Sequence, residues 1–353
     1  MKQTKMNKKP FQWAVVGAGP AGIAAVGKLL DHGILPETIL WLDPHFCVGD
    51  LGRFWHNVSS NTKVRLFTEF LCAAKSFEYE QAPIDFDLNH LDPDKTCTLH
   101  YMVEPLQWIT DRLRTRVHAD QTFIGNITLS ERVWSLHSNS QIYHAHNIIL
   151  ATGAVPTNLV YPEIDVVPFD VAIDKNRLTD YVNLNETYAV FGSSHSAVMI
   201  VKHLVDLGVK KIINFYRSPC RYAIDMGDWI LFDNTGLKGD TAQWARQYID
   251  GLWPQNLERH TSNEVNIACY LPECDKVIYA IGFKQRNTII MGDYEHMHYN
   301  PHVGVIGPGL FGLGIAYPEK KPDPFGSVET QVGLWKFMGY LTKVMPVWFK
   351  YHT

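Results

Sequence analysis

Two stretches of this sequence place glycine and serine directly after a short apolar run, at spacings that suit a phosphate. The first is Gly17-Ala18-Gly19-Pro20-Ala21-Gly22, preceded by the apolar residues 14–16 and followed by small residues over 21–31. In a G-x-G-x-x-G turn between a buried strand and a helix, the first glycine makes the tight turn and the second lets backbone approach a pyrophosphate. The third lets helix and strand pack closely. The free N–H groups at the helix N-terminus then face the anion. Residues 38–43 read as the next strand, which ends in Asp43. A carboxylate there can accept hydrogen bonds from both hydroxyls of an adenosine ribose and repels a ribose 2′-phosphate, so this turn suits FAD or NAD rather than NADP.

The second stretch is Gly192-Ser193-Ser194-His195-Ser196-Ala197, between an apolar strand over 188–191 and a helix to about residue 207. Ser194 stands where the middle glycine would be. Its Cβ crowds the approach of backbone to a pyrophosphate, while its hydroxyl can itself donate to a phosphate. The partner strand, 211–216, is followed by Arg217 rather than by an acid. A guanidinium grips a 2′-phosphate bidentately, which favours NADPH over NADH at this turn, and Arg221 could assist. His195 falls at a helix N-terminus, where the dipole disfavours the imidazolium; a neutral ring there could contact nicotinamide or substrate, or simply cap the helix.

The elements that must hold these turns follow from periodicity. Residues 101–117 read as an amphipathic helix, with Leu106, Ile109 and Leu113 on one face. Short strands are expected over 123–129, 133–137 and 141–144, then a last strand from 147 leading into Ala151-Thr152-Gly153. Residues 66–94 read as a surface excursion without recognisable chemistry. Pro156, Pro162 and Pro168 mark 155–182 as a crossover. The segment 220–274 contains Trp229, Trp244 and Trp253 and a short helix over 241–250, and reads either as a lid or substrate wall or as plain packing. A strand over 275–283, a glycine-rich strand over 303–316 and a helix over 327–341 complete the chain.

Composition narrows the class. At 353 residues there is room for two domains, and hydrophobic residues make up 46% of the chain. A net charge of −4 provides no basic field for nucleic acid or an anionic membrane, so neither partner is expected. The longest apolar runs fall short of the roughly 18 residues a transmembrane helix needs. Lys2, Lys5, Lys8 and Lys9 read as a disordered leader, because the apolar stretch behind them is the first nucleotide strand. The 6 cysteines are scattered, which suits reduced thiols and a cytoplasmic location. Cys269 and Cys274 share the spacing of a redox pair but sit before a late strand rather than after the first turn. His296, His298 and His302 lack the acids or cysteines that a metal site needs, so no metal is expected.

These motifs have a common pattern. Gly17 to Gly22 with Asp43, Gly52-Arg53-Phe54-Trp55, Asn61-Thr62, Ala151-Thr152-Gly153 ahead of Pro156, the second turn, and Asp275-Lys276-Val277-Ile278-Tyr279-Ala280-Ile281-Gly282 run in that order. In this the chain resembles the two-dinucleotide-binding-domain flavoproteins, a superfamily that includes flavin-containing monooxygenases and pyridine-nucleotide disulfide oxidoreductases. The resemblance implies an α/β fold of two Rossmann-like three-layer domains, the second inserted in the first, with parallel sheets and meander hairpins. It implies an FAD domain over 10–160 and 283–353 and an NAD(P)H domain over 161–282. FAD would be held by Gly17, Ala18, Gly19, Pro20, Ala21, Gly22, Asp43, Arg53, Trp55, Thr152, Gly153, Gly314 and Gln331, the last on the first turns of the final helix. NADPH would be held by Gly192, Ser193, Ser194, Ser196, Ala197 and Arg217, with Asn61 and His195 as catalytic candidates. The implied reaction takes hydride from NADPH to the flavin and passes electrons to oxygen, hydroxylating a small N- or S-containing substrate, or to another acceptor. A reductase that does not activate oxygen, and a non-catalytic flavin-bound sensor or interaction protein, stand as alternatives. Residues 168–176 occupy the place of the monooxygenase F-x-G-x-x-x-H fingerprint, with Asp174 at the histidine position and the glycine missing.

Overall fold

The computed structural model describes residues 9–161, 163–286, 288–292 and 297–351; Lys2, Lys5, Lys8, Pro162 and His296 lie outside them. The strand Phe11–Val16 sits at the centre of the larger sheet, parallel to Ile39–Asp43 on one side and to Ile142–Leu150 on the other. Beyond them lie His118–Gln121 and Leu310–Gly312, each parallel to its neighbour, with Val305–Gly307 antiparallel at the edge. Every residue of Ile39–Asp43 is buried, as a strand covered on both faces must be. The meander is formed by Ile124–Ser130 and Val133–Ser138, which pair antiparallel with each other and then with Ile142–Leu150. The two strands expected over 141–144 and from 147 are one continuous strand, because no turn residue interrupts 142–150.

The second sheet is wholly parallel, in the order Asp165–Val166, Lys276–Tyr279, Thr187–Phe191, Lys211–Tyr216, Leu257–Thr261. The helix His195–Leu207 crosses between Thr187–Phe191 and Lys211–Tyr216 and stops at Gly208, whose φ of 75° closes it in the left-handed region. Strands of the first sheet come from 11–150 and 305–312, those of the second from 165–279. The two links between the sheets pair with each other, Ala154–Pro156 antiparallel to Phe283–Gln285. This is the α/β architecture of two Rossmann-type units with mostly parallel sheets.

Two local expectations are corrected, and Asp174 acquires a structural role. Residues 66–94 are a surface excursion only in their second half: 80–94 is largely exposed, but Val64–Cys72 is a helix, and Phe67, Phe70, Leu71 and Phe77 are fully buried in the main core. A Cβ on Gly27 would come within 2.4 Å of the Phe77 ring, so the absence of a side chain in the opening helix seats this segment. Residues 328–331 are strand, not helix. Glu319–Pro322 and Val328–Gln331 form a hairpin, and the last helix runs Leu334–Trp348. The turn forces this, since Asp323 Oδ1 accepts from the backbone N–H of Phe325 and Ser327 and Gly326 takes φ +83°. Asp174 caps the short helix Lys175–Tyr181, accepting from the N–H groups of Asn176 and Arg177, and also from Asn57 Nδ2 at 3.1 Å. Buried and held by three donors, it serves here as a helix cap. Among the described residues no helix is long and apolar enough to cross a membrane.

Candidate functional site

The first glycine turn is fixed by contacts that leave no room for side chains. Gly17 has φ +112°, and a Cβ on it would lie 2.3 Å from the carbonyl oxygen of Ala151; a Cβ on Gly22 would lie 1.9 Å from the Gly17 oxygen. The Gly17 N–H donates to Leu42 O at 2.8 Å and Trp41 Nε1 donates to Gly17 O at 2.9 Å, so the neighbouring strand holds the turn from both sides. Pro20 occupies the first turn of the helix Pro20–Asp31, and its N-cap, Gly19, provides no side-chain bond. The N-terminal N–H groups are therefore left for a ligand.

Asp43 is used differently from the expectation. Its Oδ2 accepts from the Ala18 N–H at 2.7 Å, and its Oδ1 accepts from the N–H groups of His45 and Phe46, both at 2.7 Å. Three of about four acceptor positions on the carboxylate are filled. One remains for a ribose hydroxyl, not two. The carboxylate also shapes the turn after it, where Phe46, Val48 and Gly49 all have φ between +51° and +61°. A β-branched residue in that region is strained, and Val48 carries that strain in the core, one residue before Gly49 on the wall of a cleft. It brings Gly49 against the first turn: a Cβ on Gly49 would be 2.9 Å from the Gly19 Cα.

That cleft has a volume of about 1040 Å³ and opens along the first turn. Gly17, Gly19, Pro20, Ala21, Asp43, Arg53, Trp55, Asn61, Thr152, Gly153 and Gly314 line it; Ala18 and Gly22 lie just behind, and Gln331 is outside on the hairpin strand. Asn61 is on the exposed strand Ser59–Lys63, and Trp55 meets Phe283 edge-on at 5.6 Å where the two units join. The buried hydroxyl of Thr152 has no partner within the described residues, and Gly153 turns there with φ +74°. Sequence reasoning missed the pair at the floor. Arg286 Nη2 donates to Asp50 Oδ2 at 2.6 Å, and the same guanidinium reaches the carbonyls of Thr152 and Ala154 at 3.3 and 3.4 Å. These partners are 236 residues apart in the chain, so no local spacing announces them.

The second turn repeats the first in outline. A Cβ on Gly192 would lie 2.3 Å from Ala280 O and 2.9 Å from the Ala197 side chain. Asn214 Nδ2 donates to Gly192 O at 2.8 Å and to Val190 O at 2.9 Å, while its Oδ1 accepts from Arg259 Nε. Ser194 is the N-cap of His195–Leu207, exposed, with no side-chain capping bond. Its hydroxyl is available, as are those of Ser193 and Ser196 beside it. Arg217 is exposed just past Lys211–Tyr216 and makes no ion pair among the described residues. None of these residues lines the 1040 Å³ cleft. The inserted segment spans the gap, because Lys238 lies beside His195 and also on the cleft wall.

His195 is held neutral, but burial is the main cause and the Lys238 charge the lesser one; together they push its pKa down to about 4. Burial does the same to His203, also to about 4. Both start from an ordinary value of 6.5, so between about 6.5 and 4 only the unfolded chain gains these protons. Stability is therefore expected to fall as pH drops through that window, by roughly 2–3 kcal/mol for each ring, and to lose nothing more from them below it. Urea midpoints measured from pH 7 to pH 4 should flatten in a His195→Gln, His203→Gln double variant. An unchanged pH slope would refute the burial effect.

All six cysteines are free, and burial pushes the Cys274 thiol up to about 12, which makes it a poor nucleophile. Among the described residues no group of histidine, cysteine or acid side chains is arranged to hold a metal ion.

No family model matches the chain. The monooxygenase AgnR1 of Paecilomyces divaricatus is 32% identical over an alignment of 384 residues, which covers 95% of this chain and 97% of that protein. The chain belongs to the flavin monooxygenase-like branch of the two-dinucleotide-binding-domain flavoproteins. It is an oxidoreductase. Solved structures share the fold at low identity. The ornithine N-hydroxylase of Kutzneria sp. 744 superposes with a TM-score of 0.65 at 14% identity, covering 98% of this chain and 100% of the other. The flavin-containing monooxygenase of Stenotrophomonas maltophilia gives 0.63 at 12%, with coverage of 98% and 100%. L-lysine 6-monooxygenase from Pseudomonas syringae gives 0.65 at 13%, with coverage of 97% and 99%.

Proposed function

We propose that this protein binds FAD in the cleft along the first glycine turn, takes hydride from NADPH held at the second, and uses the electrons to oxygenate an organic substrate. The observation that carries the reading is the cradle at Gly17 and Gly22, where backbone runs so tightly that only glycine is accommodated, with Gly153 turning beside it at φ +74° and the free N–H groups facing a cleft large enough for a dinucleotide. When bound, the flavin supplies a two-electron relay, taking a hydride from reduced nicotinamide and delivering the electron pair to dioxygen, one atom of which enters substrate while the other leaves as water.

The side chains bind, orient and shield. Asp43 holds the Ala18 N–H in place and keeps one acceptor position for a ribose hydroxyl. The helix Pro20–Asp31 directs its N-terminal N–H groups at the pyrophosphate. Trp55 lines the inner wall with Phe283 packed edge-on against it, and Asn61 offers an amide on the same cleft. Ser193, Ser194 and Ser196 present hydroxyls to the second pyrophosphate, while neutral His195 lies beneath them.

The purified protein is expected to be yellow and to bleach anaerobically with NADPH but not NADH. A colourless protein that added FAD fails to restore would overturn the proposal. Arg217→Ala is expected to weaken NADPH by about 10- to 100-fold, the worth of one charge-assisted bond pair, with NADH binding unchanged. Equal weakening of both nucleotides, measured by equilibrium titration, would remove Arg217 from 2′-phosphate recognition.

A further inference from the structure

The inner half of the cleft is accounted for by the first glycine turn, the Asp50–Arg286 pair and the segment 151–154. The outer half is walled by Ile230 of the inserted segment, by Val332, Trp335 and Phe337 at the start of the last helix, and by Leu66 opposite. Two hairpins from different units extend that wall into a lip, Ile224–Asp225 with Ile230–Leu231, and Glu319–Pro322 with Val328–Gln331. The lip is apolar and open to solvent: Ile224, Met226, Ile230 and Val328 are exposed, Phe325 is 74% exposed and Trp335 38%. Trp229 of one hairpin meets Phe325 of the other edge-on at 5.5 Å.

Behind the lip the two units are latched. Lys238 Nζ and Lys336 Nζ each lie 2.5 Å from an oxygen of Asp233. Glu329 accepts from the Asn234 N–H and Nδ2 at 3.2 Å and from Thr235 Oγ1 at 2.7 Å. Two ammonium groups and two carboxylates thus compensate one another. At the far wall Lys63 and Arg65 are paired with Asp94. The charges at this mouth with no ion pair are of both signs, Asp225 and Asp240 on the cleft wall and Lys320 and Lys321 on the second hairpin. Exposed apolar area contiguous with a binding cleft marks a site for apolar matter, and charges of both signs at its edge give neither an anion nor a cation a net attraction.

We infer that the outer cleft is a vestibule for an uncharged hydrophobic substrate with an aromatic face, stacked on Trp335 and packed against Ile230 and Val332. The inference rests on the flavoprotein reading. Such a substrate differs in class from the amino acids named for the ornithine and lysine enzymes of similar fold.

The test is isothermal titration of the FAD-saturated protein with 2-naphthol, 2-naphthoate and L-lysine at pH 7. Binding of 2-naphthol at least about tenfold tighter than either other probe is expected. Trp335→Ala and Ile230→Ser, both at exposed positions, should each weaken 2-naphthol at least fivefold without changing the flavin absorbance. Naphthoate or lysine binding as tightly as naphthol would overturn the inference, as would naphthol binding indifferent to both substitutions. So would a wild-type dimer that fails to bind naphthol and becomes monomeric in Trp335→Ala, because the lip would then be an interface between copies. Flavin is read in the same samples: its failure to bind refutes the proposed function, while bound flavin without naphthol selectivity refutes the vestibule alone.

Discussion

Gly17→Ala is expected to abolish flavin retention and to cost about 3–5 kcal/mol of stability. The methyl carbon would be placed 2.3 Å from the Ala151 carbonyl oxygen, on a residue whose φ of +112° already disfavours any side chain. Relief requires the turn to move away from Ala151, whose N–H donates to Val16 O at 2.8 Å and registers the central strand against its neighbour. The same movement withdraws the N–H of Ala18 from Asp43. Affinity for FAD, measured by titrating the apoprotein, should fall at least about 100-fold, the equivalent of nearly 3 kcal/mol. Gly33→Ala is the control. Gly33 has φ +78° with nothing within 4 Å of a built Cβ, so the substitution carries only the left-handed backbone penalty of about 1 kcal/mol and leaves flavin affinity unchanged. Wild-type flavin affinity in Gly17→Ala would mean that the cradle is not where the dinucleotide lies.

The second large effect is expected from Arg286→Met. The substitution leaves Asp50, whose side chain is only 14% exposed, without its counter-ion, and it removes the donor that holds the carbonyls of Thr152 and Ala154. Breaking a fully buried pair costs about 3–5 kcal/mol, and the partial exposure of Arg286 reduces this to roughly 1–3 kcal/mol. Flavin affinity should fall as well, by about tenfold, because the released segment carries Thr152 and Gly153 at the cleft floor. Adding Asp50→Asn removes the stranded charge, so the double variant should regain part of the lost stability in urea unfolding while staying weak for FAD. If the double variant were no more stable than Arg286→Met alone, the loss would not come from the unpaired carboxylate.

The motifs legible in the chain were those whose chemistry is local. Gly17 to Gly22, Asp43, Ala151 to Gly153 and Gly192 to Ala197 each join a strand to a turn through a few neighbouring residues, and periodicity in 2.0 or 3.6 residues marks the flanking elements. Where the reading failed, a short helix stood at the head of a segment whose prolines and acids come later, as Val64–Cys72 does, or a turn overrode a helical period, as Asp323 to Gly326 did before Gln331. The part Asp174 plays emerged only in three dimensions, since one of the groups it accepts from, Asn57, is 117 residues away.

The sequence alone determined that two nucleotide turns exist, which was acidic and which basic at the following strand end, and that the fold is α/β with parallel sheets. Tertiary structure alone decided that three backbone amides claim most of Asp43, that Asp50 and Arg286 meet beneath the cleft, and that hairpins from the two units form one apolar mouth. The physical reason is range: backbone hydrogen bonding and side-chain periodicity act over a few residues, whereas ion pairs and packed surfaces join whatever the folded chain brings together.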